Sequence, residues 1–351
     1  MKRRGGIYIL AQSEEQRDTR LDFMRALGTL TIIVPHVLSP DFLVQVRTFD
    51  VVMLVFVSGM SYAYQAVNKR KIEYYRYVKK RCRRLLLPTL ILIFTVFTSI
   101  NAASVAFGKG MHYHMHDLLN SLFLFEEGIG YVWIIKVYLG LALIAPFSWE
   151  FIRKLKGNIQ LLVMCGSIYI IYSLVRAIEP MIYLPILSVL FEEYIFYIAA
   201  YAIPFVIGMY LGKNKNRVRS LVFLSVLCFA FTQIFIIIQG GGFEPNLYKY
   251  PPELYYLSYG IACSVIIYYM APTKINSGIK WLSKNSLVFY LVHVFWVVWL
   301  ATVINSLKLT IIDVFWMKYI LVVLLTTVTT LGINYSVRLF KEKNKREWEQ
   351  V

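Results

Sequence analysis

An all-helical protein that crosses a membrane about ten times, with both termini in the cytoplasm, is the fold this sequence predicts. Three observations carry that expectation. The chain is too apolar for a water-soluble domain: 58% of its 351 residues are hydrophobic, only 16% are charged, and the mean hydropathy is +0.58. Its apolar residues fall into about ten stretches of the ~20 residues a helix needs to cross a lipid core. The basic residues behind the net charge of +17 concentrate in alternate connections, as the positive-inside rule requires.

Taken in order, a polar leader (Lys2, Arg3, Arg4, Arg17, Arg20) precedes the first stretch, 23–41. It shows no recognisable cleavage site, so that stretch reads as an anchor and not as a removed signal. Pro35 should kink it. The second stretch, 49–67, returns after a short connection holding Arg47. A strongly basic connection (Lys69, Arg70, Lys71, Arg76, Lys79, Lys80, Arg81, Arg83, Arg84) leads to the third, 85–106. The longer connection 107–130 carries Lys109, Asp117, Glu126 and Glu127 and opens the fourth stretch, 131–151. Arg153, Lys154 and Lys156 precede the fifth, 159–178; Glu192 and Glu193 precede the sixth, 194–212. Gly208 and Gly212, four apart in the sixth, make a small-residue face suited to close helix packing. Lys213, Lys215, Arg217 and Arg219 border the seventh, 219–239, and a Gly- and Pro-rich connection, 240–253, with Lys249 as an isolated base, leads to the eighth, 254–271. Lys274, Lys280 and Lys284 precede the ninth, 286–306, Lys308 precedes the tenth, 317–338, and a basic tail follows.

The expected organisation is a cytoplasmic leader (1–22), a transmembrane domain (23–340) and a cytoplasmic basic tail (341–351). Alternation of charge argues against nucleic acid as the partner, since topology and anionic lipid account for it. Cys82, Cys165, Cys228 and Cys263 have no spacing that suggests a disulfide or a zinc site. No inverted repeat relates the two halves, which counts against several transporter folds.

Two residues in the first stretch bear on function. Arg25 and His36 are eleven positions apart. On a continuous helix that spacing places them within ~20° of one face and ~16 Å apart, so one long ligand could touch both. An intramembrane charge is a functional-site hypothesis, set against a snorkelling Arg and a His bonded to a neighbouring helix. A His needs a carboxylate on one ring nitrogen to act as a base through the other, and either Asp50 or Asp41 stands at a suitable depth. His112, His114 and His116, alternating in the 107–130 connection, could line one side of an extended segment as a metal site, or simply form a solvated loop.

Asp22-Phe-Met-Arg25 with His36, Asp50 through Ser58-Gly59, Arg81-Cys-Arg-Arg84 with Pro88, Tyr131-Val-Trp133 through Tyr138 to Pro146, and Ser286-Leu-Val-Phe-Tyr290-Leu-Val-His293 occur in one order along most of the chain. In these motifs it resembles acyltransferase family three, the integral-membrane acyl-CoA-dependent O-acyltransferases. Lys136 departs from the pattern, which would have an apolar or acidic residue there. The resemblance implies transfer of an acyl group, usually acetyl, from cytoplasmic acyl-CoA to a hydroxyl of a cell-surface or lipid-linked polysaccharide at a bacterial cytoplasmic membrane. It implies His36 as base with Asp50 orienting it, Arg25, Arg81 and Arg84 on the acyl-CoA, and Ser58, Trp133, Tyr138 and His293 toward the substrates; no metal is expected. His293 is either a buried structural histidine or a second polar group near the acceptor. The competing reading is a transporter or flippase, in which the buried Arg, His and Asp form a relay.

Overall fold

The computed structural model describes residues 18–37, 39–68, 73–181, 184–307 and 314–349. Of the basic residues named above, Lys2, Arg3, Arg4, Arg17, Lys69, Arg70, Lys71 and Lys308 lie outside the described residues, as do the side chains of Lys341, Lys343, Lys345 and Arg346 in the tail. The described residues are helical throughout, with no strand.

Helices α1 (Thr19–Thr31) and α2 (Asp41–Arg47) lead into the long α3 (Asp50–Asn68) and α4 (Tyr74–Ala106). After α5 (Met115–Leu122) come α6 (Ile134–Ile152) and α7 (Asn158–Ile178). Next, α8 (Pro185–Leu190) passes through a π-helical turn, Phe191–Ile195, into α9 (Phe196–Lys213). The chain ends with α10 (Val218–Ile238), α11 (Leu254–Met270), α12 (Ser277–Lys284), α13 (Ser286–Leu307) and α14 (Phe315–Glu349).

Among the described residues, eight helical segments are long and apolar enough to cross a membrane. The other two predicted spans are shorter helices. At 17 residues α11 reaches ~25 Å, and at 13 residues α1 reaches ~20 Å, against a lipid core of ~30 Å. Pro35 accounts for α1, since it has no N–H to continue the ladder. The bonding pattern tightens before it: Ile33 N–H donates to Leu30 O, and His36 N–H to Ile33 O. Instead of a kinked span, the first stretch is thus an α-helix followed by a 3₁₀ turn, Val34–His36.

The closest packing joins α3 to α9 near the centre. A side chain added at Gly59 of α3 would lie 2.0 Å from the Phe205 carbonyl oxygen, and one added at Gly208 of α9 would lie 2.1 Å from that of Phe56. Only glycine lets the two backbones touch in this way, and Gly212 continues the contact against Met60 and Ala63. Side chains buried all round α9, from Phe196 to Gly212, mark it as a core helix, whereas α7, α10 and α14 expose most of their apolar side chains, as lipid-facing helices do.

Gly59→Ala and Gly208→Ala should each cost ~1–3 kcal/mol or more of unfolding free energy by overpacking. Gly166→Ala on the exposed face of α7, where nothing lies within 4 Å, should leave stability unchanged or slightly raised. Thermal unfolding of the purified variants in detergent reads the difference, and equal midpoints for all three would contradict the contact.

Candidate active site

Several helix ends enclose a cavity of about 770 Å³. One end of it is basic: Arg81 and Arg84 from the first turns of α4, and Lys284 from the end of α12. Among the described residues no carboxylate pairs with any of the three. Asp18, the N-cap of α1, also lines this end, but it is already engaged. It accepts hydrogen bonds from Arg20, Tyr64 and Tyr268 and lies 3.5 Å from Lys215. Burial alone would raise the Asp18 carboxyl; Arg20 and the two tyrosine hydroxyls outweigh it and hold it at about 2.

Midway along the cavity stands Arg25. It donates to Asp22 at 3.0 Å and to the Ser61 hydroxyl at 2.5 Å, and Asp22, almost fully buried, also accepts from Ser283 at 2.7 Å. A buried carboxylate thus holds the guanidinium in place and lowers the cost of a charge at this depth. Ser58, Tyr138 and Tyr290 line the wall beyond it.

His36 lies one ring past that end. The Tyr290 hydroxyl donates to the Tyr131 carbonyl at 2.5 Å, and the Tyr131 ring stacks on His36 with centroids 3.8 Å apart. Tyr131 adopts a left-handed backbone (φ 57°), a strained conformation for a residue with a side chain and of the kind that collects at functional sites. The His293 ring is 5.9 Å from His36 and 5.3 Å from Tyr290. His293 is fully buried, and neither of its nitrogens makes a hydrogen bond of good geometry. A buried imidazole without a well-formed hydrogen bond is costly and unusual, and this one sits against the candidate base.

Asp50 is fully buried at the start of α3, and its partners are Arg47 Nη1 at 2.7 Å and the Val51 N–H at 2.7 Å. No bond joins it to His36; its partner Arg47 is within electrostatic range of that ring, as are His293 and Lys249. Asp41, the alternative carboxylate, is exposed in the first turn of α2. Trp133 does not line the cavity but packs against Tyr197, Tyr201 and Tyr250. Lys136, unexpected in its motif, donates to Glu193 at 2.6 Å from the π-helical turn, which gives its buried charge a partner.

The predicted residues therefore divide by place. Arg25, Arg81, Arg84, Ser58 and Tyr138 share one cavity; His36 and His293 come together at its far end; Asp50 lies with Arg47 and Trp133 among aromatic rings. Sequence reasoning did not select Arg47, Lys284 or Tyr290 as site residues. For Arg47 the signal available was its place three residues before Asp50, the spacing of an ion pair. The three histidines do not converge: His114 caps α5 with Asp117, and His116 turns toward Asn120. Among the described residues no group of three or more His, Cys, Asp or Glu side chains is placed to hold a metal ion.

Removing one member of the buried Arg47–Asp50 pair strands the other. Arg47→Met should cost ~3–5 kcal/mol of stability, and adding Asp50→Asn should restore part of it. Thermal midpoints should run wild type, double variant, Arg47→Met from highest to lowest. A double variant below the single would contradict the pairing.

Comparison with known families bears directly on this arrangement. The family model described as an acyltransferase domain, that of acyltransferase family 3, matches residues 18–338. Searches of curated proteins and of solved structures gave no match. With nearly its whole length covered by that model, the chain belongs to acyltransferase family 3 and is a multi-pass membrane acyltransferase.

Proposed function

We propose that this protein transfers an acyl group, acetyl in the first instance, from cytoplasmic acyl-CoA to a hydroxyl of a cell-surface or lipid-linked polysaccharide, across a bacterial cytoplasmic membrane. The observation that carries the reading is the cavity: at one end three cations that no carboxylate among the described residues pairs with and, just past the other, His36 under the Tyr131 ring. Charge alternation along the sequence puts the basic end and both termini in the cytoplasm, where acyl-CoA is made. The catalytic domain is taken as 23–340, between the leader 1–22 and the tail 341–351.

In this scheme Arg81 and Arg84 hold the nucleotide phosphates, for which a guanidinium fork is suited, and Arg25 fixes the arm midway. The cavity's size falls within the ~300–1,000 Å³ of small-molecule sites. Ser58 and Tyr138 flank the thioester end, and Trp133 and His293 face the acceptor side. The His36 imidazole takes the proton of the acceptor hydroxyl, whose oxygen attacks the thioester carbonyl carbon. As the tetrahedral intermediate collapses the carbon–sulfur bond breaks, and the thiolate leaves with the proton from the imidazolium. Asp50 serves the base at one remove, by holding Arg47 beside it.

Membranes containing His36→Ala should lose ~10²–10⁴ of labelled acetyl transfer from acetyl-CoA to extractable glycan while the protein still accumulates. Asp50→Asn should lose less. Near-normal transfer by His36→Ala would sink the mechanism. For the donor, Arg25→Ala, Arg81→Ala and Arg84→Ala should each weaken acetyl-CoA binding to purified protein by ~1.5–3 kcal/mol. Lysine at position 81 or 84 should rescue only in part, because the charge stays and the fork is lost. Unchanged affinity in all three would reassign these arginines to lipid anchoring.

A further inference from the structure

Past His36, on the side away from the basic mouth, lies a second cationic group that the reaction scheme does not use. Lys249 is 5% exposed and, among the described residues, makes neither a hydrogen bond nor an ion pair; its ammonium lies 5.0 Å from the centre of the Tyr250 ring and 5.9 Å from that of Trp133. Arg47, 7% exposed, spends Nη1 on Asp50 and leaves its buried Nε without an acceptor. Both cations are within electrostatic range of His36. The carboxylates nearby are already engaged: Asp50 with Arg47, and Glu126 with the Tyr197 hydroxyl. Bordering this cluster, Tyr131 and Tyr250 are partly exposed residues, 41% and 43%.

We propose that Lys249 and Arg47, walled by Trp133, Tyr131 and Tyr250, form an anion-binding subsite that selects an acceptor sugar bearing a carboxylate or a phosphate. Two buried cationic groups with unused donors, set within electrostatic range of the base and next to partly exposed aromatic residues, are what such a sugar requires. The rings pack against its C–H face while the cations hold its anion. In place of water, the acceptor supplies the partner that Lys249 and Arg47 Nε lack. Burial pushes the Lys249 ammonium down to about 8, with Asp50 raising and Arg47 lowering it; Glu126, the other acid in range, also raises it. An arriving anion favours the charged form, so recognition weakens as pH rises through that value. The inference rests on the acyl-transfer reading, since it makes the site beside His36 the acceptor's.

The test uses the full-length protein in detergent and three probes: trigalacturonate, its carboxyl-reduced neutral counterpart and a glycerol-phosphate oligomer. At pH 7 at least one anionic probe should bind about tenfold or more tighter than the neutral one, and the tighter of the two identifies carboxylate or phosphate. Lys249→Gln should abolish the preference; Lys249→Arg should keep it and carry it past pH 9, where the wild type loses it. Equal affinity for acidic and neutral probes, or a preference that survives in Lys249→Gln, overturns the proposal. Acetyl-CoA affinity, measured in parallel, separates the two levels. Wild type and Lys249→Gln should bind acetyl-CoA equally, which shows the inner cavity intact. Failure of the wild type to bind acetyl-CoA overturns the acyl-transfer reading and this subsite with it.

Discussion

The backbone-to-backbone contact of α3 with α9 at Gly59 and Gly208 is the constraint on which the site depends. α3 carries groups for both halves of the site: Asp50 at one end, Ser58 and Ser61 midway, and Tyr64 at the basic mouth. Pressed against α9, it cannot slide or tilt without moving all of them together. α1 and α11 then pack on α3, α6 packs on α9, and the cavity opens between α1, α3, α4, α6 and α13. The interior is stiff here because side chains have been removed from the contact, and close-packed interiors transmit displacement instead of absorbing it.

Charge is distributed on the same plan. A buried ion is tolerable when paired, and Arg25 with Asp22, Arg47 with Asp50 and Lys136 with Glu193 follow that rule. The groups that break it lie at the two ends of the path through His36. Among the described residues, no carboxylate pairs with Arg81, Arg84 and Lys284 at one end or with Lys249 at the other. Unpaired cations are cheap where water reaches them and costly where it does not, so Lys249 is the more informative exception. His293 is a third kind of exception, a buried ring beside the candidate base that makes no hydrogen bond of good geometry among the described residues.

Much of this was legible in the sequence, because membrane helices are written as long apolar runs and connections as charge. Arg25 and His36 were found by being out of place in such a run, whereas Arg81 and Arg84, inside a basic connection, stood out only through the family motif they belong to. The continuous-helix spacing of Arg25 and His36 does not hold, since Pro35 ends α1 at Thr31; the two residues are linked instead by the cavity and the Tyr290–Tyr131 bridge. Asp50 has a nearer partner, Arg47, than the ring it was expected to orient. Lys136 looked anomalous because Glu193 is 57 residues away, and Lys249 meets Trp133 from across more than a hundred residues. Local pattern reports periodicity and composition, and pairings over such separations leave no trace in it.

The central claim is that one passage leads from the basic mouth to His36 and that acyl-CoA occupies it. An experimental structure of the purified protein with a non-hydrolysable acetyl-CoA analogue tests this most directly. The account predicts the phosphates within hydrogen-bond reach of Arg81 and Arg84, the arm passing Arg25, and the acyl end beside Tyr290 and His36. An analogue bound elsewhere, or one whose acyl end points away from His36, would contradict it.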